Sequence, residues 1–401
     1  MTTDILIVGG GMVGASLAAA LGPLSYSVTV VEASPPRDPG QPSYDDRATA
    51  LSWGSRRILE TLGLWEELEP AATAIHDIHV SDRGQFGVTR LSHREQNVPA
   101  LGYVVENRAL GKVLWRAMEQ ARTDVLCPAS VESVTTVAEH ADVTARHEDG
   151  TVSRCRARLL VVADGARSAT RDMLGADSTV TDYMQTALIT NITPERFHEH
   201  VAYERFTATG PLALLPLSNG RCSVVWTLSP QRAAEVGNMD DKSFLAALQN
   251  EFGHRLGRFQ KVGSRHSYPL SLVQATQITG QRNVLIGNAA HGLHPVAGQG
   301  FNLGLRDVAT LADVIADATD PGSASTLGCY GQWRKEDHRR VISFTDGLVR
   351  LFTSDLPPLR LARGAGLIAL DLLAAPRSIL ARQSMGVSGR LPRLARGVPL
   401  R

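Results

Sequence analysis

The chain has 401 residues, 43% apolar and 20% charged, with a formal net charge of +1. This composition excludes a disordered, collagenous or disulfide-stapled chain, and the length implies two or three domains, each with its own core. The near-neutral total argues against a strongly basic nucleic-acid binder, yet the charge is uneven. From Arg350 to Arg401 there are nine arginines and two acids, so an acidic body ends in a basic tail.

Cys127, Cys155, Cys222 and Cys329 are widely spaced with no C-x-x-C pair. Neither a disulfide framework nor a zinc site is expected, and a cytoplasmic compartment fits. Residues Ile5 to Leu24 are uncharged, but they follow Asp4 rather than a basic segment and contain clustered glycines. A strand, turn and helix are predicted there, not a signal peptide or membrane span.

The first strand, Asp4 to Val8, runs into Gly9-Gly10-Gly11-Met12-Val13-Gly14, a G-x-G-x-x-G pattern. An Ala- and Leu-rich helix follows from Ala15, then a strand from Ser27 to Val31 that ends at Glu32. Gly9 permits the tight turn, Gly11 admits a pyrophosphate to the backbone, and Gly14 lets the helix pack on the strand. The helix N-terminus attracts the pyrophosphate, and Glu32 can accept ribose hydroxyls. This unit alone leaves NAD and FAD open.

Two later segments repeat the theme of an apolar strand running into a short polar turn. Leu159 to Ala163 precedes Asp164-Gly165, and Asn283 to Ile286 precedes Gly287-Asn288. After the second comes His294-Pro295-Val296-Ala297-Gly298-Gln299-Gly300-Phe301-Asn302 and a predicted helix from Asn302 to Ala318. With all three motifs in order, the chain resembles the flavoprotein aromatic hydroxylases of the p-hydroxybenzoate hydroxylase type. Asp45 to Leu51, His79 to Gly84, Gly210 to Trp226 and GNAAHGLHPVAGQGFNLGLRD extend the resemblance to the ubiquinone-precursor hydroxylases. The 2-polyprenyl-6-methoxyphenol hydroxylases are the most similar group within that branch.

The resemblance implies bound FAD, NAD(P)H as a transient co-substrate without its own domain, and ring hydroxylation of a lipophilic phenol with O2. It places Arg47 and Arg108 near the FAD phosphates or flavin, Asn288 on the ribityl chain, and Pro295, Gly298, Gln299 and Gly300 at the flavin edge. The remaining cofactor-binding residues implied are Gly9, Gly11, Gly14, Glu32, Asp164, Gly287 and Asn302. The family usually has Asp after the glycine of its third motif; Asn288 keeps the acceptor but not the charge. No residue is singled out as the base that deprotonates the phenol.

Competing readings are weaker. His291 and His294 could suggest a metal pair, but no third ligand stands nearby in sequence, and no metal is expected. Asp45-Asp46 reads as a turn presenting Arg47, Trp226 as core, and His76 and His79 as structural. Neither a Ser-His-Asp order, a P-loop, a second nicotinamide fingerprint nor the W-x-W-x-I-P pattern of flavin halogenases is present. Hydroxylation at another ring position, hydroxylation of a small soluble phenol, and a non-catalytic flavin-holding subunit of a quinone-synthesis complex remain as alternatives.

The fold class expected is α/β: a Rossmann-like FAD domain from residues 1–75, 100–180 and 270–345, and an inserted antiparallel-sheet substrate domain from 76–99 and 181–269. Residues 346–401 form a helical tail broken at Pro357-Pro358 and Pro376, with a poorly ordered last dozen residues. The tail's arginines and its LIALDLLAAP stretch suit peripheral attachment to the inner membrane face; the alternative is a helix packed on the body with its arginines in solvent.

Overall fold

A computed structural model describes residues 1–35, 47–294, 296–353 and 357–400, and of residues 297, 353, 357 and 360 only the backbone. Asp45, Asp46 and Pro295 lie outside the described residues. The strand Thr2–Val8 is flanked by Val28–Val31 and Val152–Val162, with Asp124–Leu126 and Asn283–Leu285 outside these; all four contacts are parallel. Where they are buried on both faces, at Ile5–Val8, Val28–Val31 and Leu159–Val162, these strands read as apolar runs broken only by Thr29. The helices Met12–Leu21 and Gln299–Ala316 pack together beside them, and the largest core forms there around Ile5, Ile7, Leu17, Leu305 and Leu311.

A second sheet has nine strands. The pair Gly210–Pro216 and Cys222–Leu228 is antiparallel, joined at Ser218–Gly220 with Asn219 at φ 59°, as the turn residues predict. One contact departs from the expected pattern, since Val201–Thr207 runs parallel to Asp77–Asp82. The back of this sheet is sealed by helices Pro230–Gly237 and Asp241–Phe252 around Trp226, which is core as expected. A three-stranded sheet, Ala48–Ser52, Gly102–Glu106 and Ala72–Ile75, completes the set.

The C-terminal region corrects two expectations. Helix Pro357–Leu372 is separated from Ala374–Ser384 at Leu373, so the break falls before Pro376, which sits in the first turn where its missing N–H costs nothing. The final residues are anchored rather than loose. Arg393 binds Asp313 through its side chain and its backbone N–H, both at 2.6 Å, and Leu394, Ala395 and Leu400 join the main core.

Candidate active site

The four motif turns meet because each follows a strand of the same parallel sheet. Gly9 continues from Val8, Glu32 from Val31, Asp164 from the Val152–Val162 strand and Gly287 from the Asn283–Leu285 strand. In open parallel sheets the carboxyl edge is where ligands bind. Here it forms one end of a cavity of about 1140 Å³ lined by Gly9, Gly11, Glu32, Asp164, Asn288 and the loop Gly298–Asn302, among others.

Two glycines of the cradle leave no room for a side chain. Gly9 has φ +100°, and a Cβ there would lie 2.6 Å from Ala163 O; one on Gly14 would lie 1.8 Å from Gly9 O. Gly11 starts the Met12–Leu21 helix with no side-chain cap, leaving its N–H groups for an anion. Glu32 is buried and receives the Gly10 N–H on Oε2 and the Ser34 N–H on Oε1 at 2.9 Å. Asp164 accepts from Thr170 N at 3.2 Å, while its Oδ1 is buried without a hydrogen-bond partner among the described residues. A buried carboxylate oxygen with no donor calls for a ligand hydroxyl.

The helix Gln299–Ala316 begins directly after Gly298, at φ +60°, again with no side-chain cap. It therefore starts one turn earlier than predicted and aims its positive end at the cavity. A Cβ on Gly300 would meet nothing within 4 Å, so the loop presents an open, flat surface there. Asn302 holds the loop in place instead of facing a ligand with its amide. Its Oδ1 accepts from Ser52 N and Ser55 Oγ, and its Nδ2 donates to Ala50 O and Gly298 O. Its four hydrogen-bonding positions are thus all taken by protein.

The two arginines share one wall of the site. Arg47 lines the large cavity, with its guanidinium 4.6 Å from the Tyr268 ring centroid. Arg108 lies outside the large cavity and lines an adjoining polar pocket with Arg47, Glu106, Arg221 and Lys261, 3.8 Å from Glu106.

A buried ionic cluster secures the third motif, and sequence reasoning missed it. Asp307 receives Gly287 N–H, His291 Nε2, Arg334 Nε and His338 Nε2 at 3.1, 2.8, 2.7 and 2.6 Å. Burial alone would raise its carboxyl, but His338, His291 and Arg334 outweigh that and hold it well below the usual range. The expectation that His291 has no third ligand-type neighbour is corrected: Asp307 and His338 adjoin it, whereas His294 instead accepts Val296 N–H. With the Arg334 guanidinium already on Asp307, the group acts as a donor cradle around a carboxylate. Only the spacing of GLRD after the glycine loop hinted at Asp307; His338 and Arg334 come from the distant helix Ala324–Thr353.

The other end of the cavity is apolar. It is walled by the inner face of the nine-stranded sheet and by Leu348, Phe352, Leu367 and Leu380 of the C-terminal helices. Arg363 is buried there and lies 3.1 Å from Asp82 as an ion pair, off the ideal hydrogen-bond line, while its Nη1 donates to Leu351 O and Phe352 O.

Comparison with known proteins identifies the family. Residues 2–345 fit the family described as FAD binding domain. Ubiquinone hydroxylase UbiL of Rhodospirillum rubrum is 39% identical over 99% of this chain and 93% of its own length. The 3-demethoxyubiquinol 3-hydroxylase of Escherichia coli is 34% identical over 96% and 97%. The chain belongs to the FAD-dependent ubiquinone hydroxylases. This hydroxylase is a monooxygenase with FAD as cofactor and NAD(P)H as electron donor. Its fold is shared with p-nitrophenol 4-monooxygenase from Pseudomonas putida, at TM-score 0.79 and 19% identity over 97% of this chain and 100% of the other. PqsL of P. aeruginosa gives 0.75 and 22% over 92% and 99%.

Proposed function

We propose that this hydroxylase adds a hydroxyl group to the ring of a polyprenyl-methoxyphenol and takes that substrate from a membrane surface. The continuity of the cavity carries the reading, since one space runs from the nucleotide cradle to the apolar wall of the C-terminal helices. A small soluble phenol needs no such extension, whereas a prenyl chain does.

The residues present fit FAD. The turn Gly9 to Gly14 would hold the pyrophosphate, Glu32 the adenosine ribose, and Asp164 with Asn288 the ribityl hydroxyls. Gly298, Gln299 and Gly300 would lie along the flavin edge, with the N-terminus of the Gln299–Ala316 helix favouring negative charge at that place. When bound, FAD supplies the redox chemistry that links NAD(P)H oxidation to oxygen insertion. The protein's own part is to position the ring, exclude water and manage its proton. Purified protein with FAD should oxidise NAD(P)H faster with a prenylated methoxyphenol and yield a product heavier by one oxygen atom. Equal oxidation with and without the phenol, and no product, overturns the reading.

Support for membrane uptake lies on the outer face of the tail. Between residues 361 and 379 the exposed positions are all Leu, Ala, Gly or Ile. They include Leu361, Leu372, Leu373 and Ile379, at 75%, 75%, 56% and 66% exposure. Exposed Arg382 and Arg350 flank this face. Apolar insertion with cations at the rim is the chemistry of interfacial helices on anionic lipid. Among the described residues no single helix is long and apolar enough to cross a membrane; the bent pair Leu361–Leu372 and Ala374–Ser384, at 95°, passes only by length and composition. Flotation with anionic vesicles should recover the wild type and lose a Leu372→Glu, Leu373→Glu double variant; equal recovery overturns the attachment.

A further inference from the structure

The sheet face turned to the cavity is mostly apolar and carries a single carboxyl. Along Val201–Thr207 the alternation sets Ala202, Glu204 and Phe206 towards the cavity. Arg205 points the other way and donates to Glu251 O, and Tyr203 packs on Phe252 behind the sheet. The cross-strand neighbours of Glu204 are Val80 and Ala213, both on the cavity wall. Glu204 Oε1 is enclosed and has no hydrogen-bond partner among the described residues.

Such a carboxyl destabilises the fold unless something else meets it. The other charged groups on the wall have partners: Gly10 and Ser34 for Glu32, Thr170 for Asp164, Asp82 for Arg363 and the Tyr268 ring for Arg47. On the elements packed around the strand, Asp346 pairs with Arg350 at 2.8 Å, and His79 lies beside Tyr203. Among the described residues no cation compensates Glu204, and burial raises its carboxyl from 4.5 to about 7.

We propose that Glu204 is the catalytic base of this hydroxylase, accepting the phenolic proton of the bound ring on its carboxylate and returning it to the product. The proposal rests on the hydroxylase reading above. The proton moves from the phenol oxygen to a carboxylate oxygen and back, so no electrons are exchanged and the net charge of the cavity is constant. Partial ionisation enriches the ring in electrons where oxygen is to be added. A phenol of pKa about 10 gives up its proton less unfavourably to a carboxylate near 7 than to an ordinary one.

The test uses the FAD-loaded enzyme, with flavin content as the check on folding. Wild-type kcat for the prenylated phenol should rise with pH through about 7. Glu204→Gln should retain FAD, lose about 10²–10⁴-fold in product formation and lose that step in the pH profile. Glu204→Asp should keep a displaced step at reduced rate. A flat wild-type profile, or Glu204→Gln with wild-type rate and profile, overturns the assignment. A wild-type enzyme that hydroxylates no phenol refutes the functional reading instead, which separates the two failures.

Discussion

At one end of the cavity the wall is mostly backbone: turn glycines, uncapped helix N-termini and two carboxylates at the edge of a parallel sheet. At the other end it is side chains, drawn from an antiparallel sheet and from helices near the C-terminus. The first end suits a polar, charged ligand of fixed shape, because peptide N–H groups are rigid and need only space. The second suits an apolar ligand, for which area and volume matter more than direction. The comparison teaches that a nucleotide site depends on what is missing from a few positions, and a lipid site on what is assembled from many.

Breaking the backbone end should have the largest effect. Gly14→Val places atoms where Gly9 O already lies, with even the Cβ at 1.8 Å. The purified variant is expected to lose its flavin absorbance and all NAD(P)H oxidation; retention of FAD would show that the turn can move aside.

Breaking the side-chain end should cost stability before it costs cofactor. Arg363→Ala removes the ion-pair partner of Asp82, both partners being 7% exposed in the intact fold. Removing one member of a buried pair costs about 3–5 kcal/mol, read as a lower urea midpoint. The Asp82→Asn, Arg363→Ala double variant should recover part of that loss, since it leaves no uncompensated charge.

The least localised effect appears on acidification. Burial pulls His79, His294 and His338 down to about 4, from 6.5. Over that interval the unfolded chain binds more protons than the folded one, so stability is present above about pH 6.5 and falls as pH drops towards 4. Each histidine contributes a slope of up to about 1.4 kcal/mol per pH unit. Urea unfolding at a series of pH values tests this, and a pH-independent midpoint would contradict it.

The tail shows how local and global readings differ. Its arginines form a block of positive charge in the sequence, yet several are tied to the acidic body. Arg377 holds Glu95 through two bonds of 2.9 Å, Arg393 holds Asp313, and Arg363 faces Asp82. Arg390 lies 3.6 Å from the centroid of the Trp333 ring. The charge asymmetry is thus partly an internal docking code, and Arg350, Arg382, Arg390 and Arg396 are the exposed ones among the tail arginines whose side chains are described. Both sequence-level readings, a membrane anchor and a packed helix with its arginines in solvent, missed these pairings because Arg393, Arg377 and Arg363 find partners 80 or more positions away.

The local sequence by itself determined the nucleotide end. Strand, glycine turn and acid lie within one short segment, and the geometry they impose needs no distant partner; Gly9, Glu32, Asp164 and Gly287 stand where the motifs predict. Only the tertiary structure decided the rest. Asn302 is spent on holding its own loop, Arg108 joins Arg47 in an adjoining polar pocket, and Asp307 acquires His338 and Arg334 from another helix. Glu204 gains its meaning from the apolar strands on either side of it. A turn is specified by the residues within it, whereas burial and pairing are properties of the neighbours that folding brings together.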